Sequence, residues 1–120
     1  MAVTINCDMG ESFGLYRMGD DVGMMPLIDI ANVACGFHGS DFNHMRATVR
    51  LAKHHRVKVG AHPSLPDLPG FGRREMKMDR VEMTNCLIYQ IGALRYDLHP
   101  FRHPERTCHR PRRARRPGRP

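Results

Sequence analysis

The sequence predicts an α/β fold built on a parallel sheet. Three observations point there: strand, loop and helix follow one another about three times, glycines punctuate the loops after each apolar run, and acidic or imidazole side chains gather just past those runs. In such folds the connections are right-handed, so the loops leaving the strands collect at one rim, where chemistry is usually found.

Taken in order, Val3-Thr4-Ile5-Asn6-Cys7 is short, alternating and β-branched, and reads as the first strand. Asp8 to Gly14 is an acidic, glycine-punctuated loop. Asp20-Asp21 can cap a short helix that Pro26 would disturb beyond its first turn. Ile28 to Cys35 is the second strand, closed by Gly36-Phe37-His38-Gly39-Ser40-Asp41. A helix then runs from a cap at Ser40 or Asp41 to about His55, with Met45, Thr48/Val49 and Ala52 on its apolar face. Val57-Lys58-Val59-Gly60-Ala61 is the third strand. The loop from His62 to Met78 holds three prolines and two glycines, and loops of this length in compact domains are functional or disordered. Asp79-Arg80-Val81-Glu82 reads as a capping box opening a helix with Met83, Leu87, Ile91 and Leu94 on one face.

From Arg95 the text changes. Residues 95–120 carry five prolines, nine arginines and three histidines, without helical or strand period, and are expected to form a disordered tail. Residues 1–94 balance ten basic against ten acidic side chains, so the tail alone supplies the net charge of +7. An arginine-rich tail binds phosphates, which makes nucleic-acid binding a third-ranked reading. Only Tyr96 and Phe101 interleave with the tail's arginines, and no recognition fold accompanies them. The four cysteines are scattered, without a zinc or redox spacing, and suit reduced thiols. The N-terminus has neither the basic region nor the apolar run of a signal peptide, and no run is long enough to span a membrane, so a cytoplasmic location is expected.

Asp8, Glu11, His38 and His62 form the candidate site. Two carboxylates three residues apart after a strand can act as acid and base or hold a cation, although the same pair suits a solvated turn. His38 lies between glycines that let backbone approach a ligand; the alternative is a surface histidine bonded to Asp41. His62 precedes Pro63, which keeps it extended at the third strand's tip; the alternative is a half-buried strand histidine. A carboxylate and two imidazoles on neighbouring tips suit a mononuclear metal hydrolase and a metal-free acid/base site alike. Arg73 and Arg74 in the long loop offer forks for carboxylate or phosphate, or form a solvated charge cluster. His44, His54 and His55 read as surface residues. A Walker phosphate loop and a serine elbow are both missing from the sequence.

The strings Asn6-Cys7-Asp8-Met9-Gly10-Glu11-Ser12-Phe13-Gly14, Ala31-Asn32-Val33-Ala34-Cys35-Gly36-Phe37-His38 and Gly60-Ala61-His62-Pro63-Ser64-Leu65-Pro66-Asp67 resemble the LamB/YcsF family. Gly70-Phe71-Gly72-Arg73-Arg74-Glu75-Met76 and Tyr89-Gln90-Ile91-Gly92-Ala93-Leu94 extend the resemblance, which covers residues 3 to 94. It implies an irregular parallel β/α barrel similar to polysaccharide deacetylases. It also implies the A-subunit role in 5-oxoprolinase, which with B and C subunits opens 5-oxoproline to L-glutamate with ATP as co-substrate. The family's motif positions carry over as Asp8, Glu11, His38 and His62, with Asn6, Asn32, Arg73 and Arg74 nearby; we assign catalytic roles to the first four and expect Asn6, Asn32, Asp41, Arg73 and Arg74 to bind substrate. A divalent metal is an open possibility, and a metal-dependent amide or sugar deacetylase is the alternative activity.

Gly39-Ser40 and Leu65 are small departures from the family pattern. After Leu94 the family would continue the helix, then a strand and a Lys-Pro-His-Gly loop, where this sequence turns instead to arginine, proline and histidine. The tail is therefore expected to be an out-of-frame reading of a GC-rich gene. The chain on its own is expected to be an inactive, unstable fragment with an unclosed barrel.

Overall fold

The computed structural model describes residues 3–99. Three strands form one parallel sheet in the order β1-β2-β3, with β1 at Asn6–Met9, β2 at Ile30–Ala34 and β3 at Lys58–His62. Between β1 and β2 lies the four-residue α1, Asp21–Met24, whose cap is the Asp20 carboxylate accepting from the Gly23 N–H. It tightens into a 3₁₀ turn over Met25–Leu27, where Pro26 sits, as expected of a residue that cannot continue an α-helix. Helix α2, Phe42–His55, joins β2 to β3, and α3, Arg80–Leu98, follows the long loop after β3.

The strands begin one to three residues further along than their sequence suggests, and β2 ends one residue earlier. Val3 and Ile5 are exposed, and the first strand begins only at Asn6, where pairing with Ile30 starts. Register with β2, rather than propensity, sets the start.

Helix α2 follows its sequence pattern. Asp41 caps it by accepting from the Asn43 and His44 N–H groups, and Met45, Thr48, Val49 and Ala52 are buried. Burial of Met45 or Val49 against Met9, Ala31 and Val33 is worth about 1.5–3 kcal/mol each. The helix ends on Arg56 at φ 59, a left-handed cap more often filled by glycine.

Helix α3 keeps its predicted face at Met83, Leu87 and Leu94 and departs from it at Ile91. Leu94 is buried, but Ile91 is 44% exposed and Gln90 is fully buried in its place. The Gln90 carboxamide accepts from the Ser64 N–H at 2.9 Å and donates to the Ser64 carbonyl at 2.8 Å, so this polar side chain is satisfied inside. The helix also runs through Leu98, so residues 95–98 are helical rather than part of an aperiodic tail. Lys53 of α2 accounts for this: its ammonium donates to the carbonyls of Asp97 and Leu98 and closes the last turn. The arginine- and proline-rich stretch from residue 100 onward lies outside the described residues.

Alternation along the strands gives the sheet two unlike faces. Met9, Ala31 and Val33 join the core under α2. Asn6, Asp8 and Asn32 share the other face, where the Asn32 amide donates to Asn6 Oδ1 at 3.0 Å and Asp8 Oδ1 at 3.1 Å. Gly60 is level with Asn32, and a Cβ there would stand 3.2 Å from the Asn32 side-chain oxygen.

Candidate active site

The site forms where the loops leave β1 and β2 and where β3 ends. Asp8 lies on β1, Glu11 on the loop after it, His38 on the loop after β2, and His62 is the last residue of β3. The parallel pairing brings these tips together. The His38 and His62 rings lie 4.4 Å apart between centroids, and His38 Nε2 is 3.3 Å from Glu11 Oε1. His62 Nδ1 stands 3.6 Å from Asp8 Oδ1 and 3.7 Å from Glu11 Oε1.

His38 is neither a surface residue nor bonded to Asp41. It is 2% exposed, with the Phe71 ring edge-on at 5.1 Å. Burial lowers its pKa below the usual imidazole range; the Glu11 hydrogen bond opposes this and His62 adds to it. His38 is therefore neutral near pH 7, with one nitrogen available as an acceptor.

Close backbone approach holds the loops in place. The Ser40 N–H donates to the Glu11 carbonyl at 3.4 Å, and a Cβ on Gly39 would meet that carbonyl at 3.1 Å. Gly72, at φ +70, sits where a Cβ would fall 2.1 Å from Ser64 Oγ and 2.9 Å from His38 Cβ. Only glycine lets the long loop lie this close to the histidine.

A cavity of about 450 Å³ opens beside the cluster. Glu11 and His38 line it together with Phe13, Tyr16, Arg17 and Phe71, so one carboxylate and one imidazole face a largely apolar chamber.

The structure does not bring all the expected binding residues to this point. Asn6 and Asn32 adjoin it through the tether to Asp8. Arg73 sits over the Phe71 ring, 5.7 Å from its centroid. Arg74 is instead committed to the buried Asp67, which also accepts from the Gly70 and Arg74 N–H groups. Arg74 holds the Asp67 carboxyl below the ordinary carboxylate range. Asp41 is likewise occupied, capping α2, accepting from the Gly14 N–H at 2.9 Å and facing His44 Nδ1 at 2.9 Å. Both residues brace loops. His44 is thus a half-buried partner of Asp41, while His54 and His55 are exposed as expected. Among the described residues, Cys7, Cys35 and Cys86 are free thiols, and only Cys35 is buried.

Sequence reasoning passed over Arg17, Phe71 and Gln90 as site elements. Arg17 and Phe71 reach the cavity through loop folds that carry no period. The available signal for Phe71 was its place between two glycines.

The fold and site together define a parallel α/β protein with carboxylates and imidazoles gathered at the carboxyl edge of its sheet. A family model described as LamB/YcsF family matches residues 3–100, and the chain belongs to that family. It is 60% identical over 92 residues to the A subunit of 5-oxoprolinase from Vibrio campbellii, a match that covers 77% of this chain and 37% of the relative. It is 58% identical over 94 residues to the protein of the same name from Staphylococcus aureus, covering 78% and 38%. Among solved structures, the lactam utilization protein of Thermus thermophilus is similar at TM-score 0.79 and 51% identity, over 82% of this chain and 40% of that one. The chain thus spans well under half the length of the relatives it matches. Among the described residues, no helix is long and apolar enough to cross a membrane.

Proposed function

We propose that this chain carries part of the active site of an ATP-dependent 5-oxoprolinase, in the A-subunit role beside B and C partners. The reading extends to the fold, with the three-stranded sheet as the opening of an irregular β/α barrel similar to polysaccharide deacetylases. The observation that carries the functional reading is the convergence of Glu11, His38 and His62 within hydrogen-bonding range or just beyond it, at the wall of a cavity that suits a small ring. The names of the matched relatives support the same substrate class.

A lactam is an unreactive amide, because nitrogen donation quenches the carbonyl. Phosphoryl transfer from ATP to the ring oxygen removes that protection. Water then adds at the activated carbon, the ring C–N bond breaks, and the nitrogen leaves as the amine of glutamate. A second water releases phosphate, so the balance is 5-oxoproline, ATP and two waters giving glutamate, ADP and phosphate.

In this chain Glu11, paired with a neutral His38, takes the proton from the attacking water, and an imidazole returns one to the leaving nitrogen. Asn32 fixes Asp8, which faces His62 and orients it. Arg73, with Arg17 at the cavity wall, holds the substrate carboxylate or the phosphoryl group.

The test is a hybrid in which residues 3–94 of this chain replace the matching segment of the Vibrio campbellii relative. Combined with that organism's other subunits, the hybrid is expected to release phosphate from ATP only when 5-oxoproline is present. Glu11→Gln and His38→Ala should each lower that rate by about 10²-fold or more, the usual worth of a positioned acid or base. A hybrid that turns over normally with both substitutions in place refutes the assignment.

A further inference from the structure

The geometry points to a divalent transition-metal site formed by Glu11, His38 and His62, with Asp8 beside it. It does not depend on which bond the enzyme breaks, but it uses the residues of the lactam reading: with an ion bound, Glu11 and the two imidazoles would hold the metal, and the ion rather than Glu11 would activate the attacking water.

One donor atom from each of Glu11, His38 and His62 lies within 4.8 Å of the others. The measured separations discriminate between two explanations. His62 Nδ1 is 3.6 Å from Asp8 Oδ1 and 3.7 Å from Glu11 Oε1, beyond hydrogen-bonding distance in both cases. Yet ligands bound at about 2.0–2.2 Å to one ion stand roughly 3.0–3.5 Å from their neighbours. The separation of 3.3 Å between His38 and Glu11 already matches, and the two His62–carboxylate separations need to close by only a few tenths of an ångström.

Burial sharpens these distances. His62 Nδ1 and His38 Nδ1 are both buried and without a hydrogen-bond partner. Orphaned buried nitrogens are rare and call for an explanation, and an ion between His62 and the two carboxylates supplies one for His62. Two imidazoles with carboxylate oxygen suit zinc, manganese, iron or cobalt rather than magnesium or calcium, which favour all-oxygen shells. Glu11 and His38 also line the cavity, so a coordination position not filled by protein would face it and could hold a water.

The test is calorimetric titration of the purified chain with Zn²⁺ and, separately, Co²⁺, without substrate or ATP. One equivalent is expected to bind, and Co²⁺ should show the intense visible absorption of a low-coordinate nitrogen–oxygen site. His38→Ala, His62→Ala and Glu11→Gln should each weaken binding by about tenfold or more, given that even outer partners of metal ligands are worth 10–100-fold. Replacing the exposed His54 and His55 with alanine should leave affinity unchanged. The same titrations on the full-length hybrid decide the matter if the isolated chain proves unfolded by circular dichroism. A folded protein that takes up neither ion overturns the inference, as does binding that survives loss of both His38 and His62. Because the readout contains no substrate, its failure leaves the lactam reading standing, and failure of the lactam assay leaves the metal site standing.

Discussion

Gln90→Leu is expected to loosen the long loop and destabilise the fold by about 2–4 kcal/mol. Leucine is close to glutamine in volume, so the fully buried position stays filled. What is lost is the pair of bonds to the Ser64 N–H and carbonyl, at 2.9 Å and 2.8 Å, together with a donation to the Cys86 carbonyl at 3.2 Å. Each backbone group left without a partner in a buried setting costs roughly 1–3 kcal/mol. Ser64 is only half-buried, so water recovers part of this. The loss is large even for an ordinary folded domain of about 5–15 kcal/mol, so the comparison is best made in the full-length hybrid. With a urea slope of about 1–3 kcal/mol/M, the unfolding midpoint should fall by roughly 1–3 M. The assay is urea unfolding followed by circular dichroism, with amide hydrogen exchange read at Ser64. Gln90→Glu should be worse still at neutral pH, because a carboxylate keeps the acceptor but turns a second oxygen on the Ser64 carbonyl. An unchanged midpoint together with unchanged protection at Ser64 would show that the clamp does not hold the loop.

Three further outcomes follow from particular contacts. Gly72→Ala should cost clearly more than Gly36→Ala in the same melts: both positions have positive φ, worth about 1–2 kcal/mol to a side chain, but only Gly72 also meets Ser64 and His38, while nothing lies within 4 Å of Gly36. Asp41→Asn should flatten the acid limb of stability against pH. Burial alone would raise the Asp41 pKa, but N–H donors from Gly14, His44 and Asn43, with the His44 ring, outweigh it and depress the folded value. Its contribution is therefore complete above the unfolded value of about 4 and is lost as pH falls through the lower folded value, which melts from pH 7 down to 2 would reveal. Arg74→Ala and Asp67→Asn should each raise amide exchange across residues 62–78, and the double variant should do no more than either alone, since both break the same pair.

The fold was legible wherever a local rule coincided with a tertiary need. Helix α2 begins at a carboxylate that caps it, and its apolar positions fall on the face that meets the sheet. Helix α3 shows the limit of that reasoning. Spacing puts Met83, Leu87 and Leu94 on the inner side, but it also puts Ile91 there, which is 44% exposed, and further apolar residues spread around the axis leave Val81, Ile88 and Tyr89 more than 60% exposed. Gln90 settles that face through a partner 26 residues away, and no window of helical length contains Ser64. The first strand illustrates the same limit. Val3 and Ile5 have strand-like side chains, yet the alignment of Asp8 with Asn32 decides which residues pair.

For the site, topology carried the inference. Parallel strands send their outgoing ends to one rim, so Asp8, His38 and His62 meet even though 54 positions separate the first from the last. Residue type alone was a weaker guide, because helix caps and loop braces draw on the same chemistry as binding sites. Asp41 and Arg74 both have charged ends suited to a substrate, and the fold uses both for support. Glu11 differs from them in what its oxygen faces. Asp41 is bonded to three backbone N–H groups and Asp67 to two, with the Arg74 guanidinium besides, whereas Glu11 Oε1 faces two imidazoles, one of them 3.7 Å away and unbonded. A carboxylate that the fold leaves incompletely satisfied beside a cavity retains capacity for a proton or a cation, and that residual capacity separates this site from the braces around it.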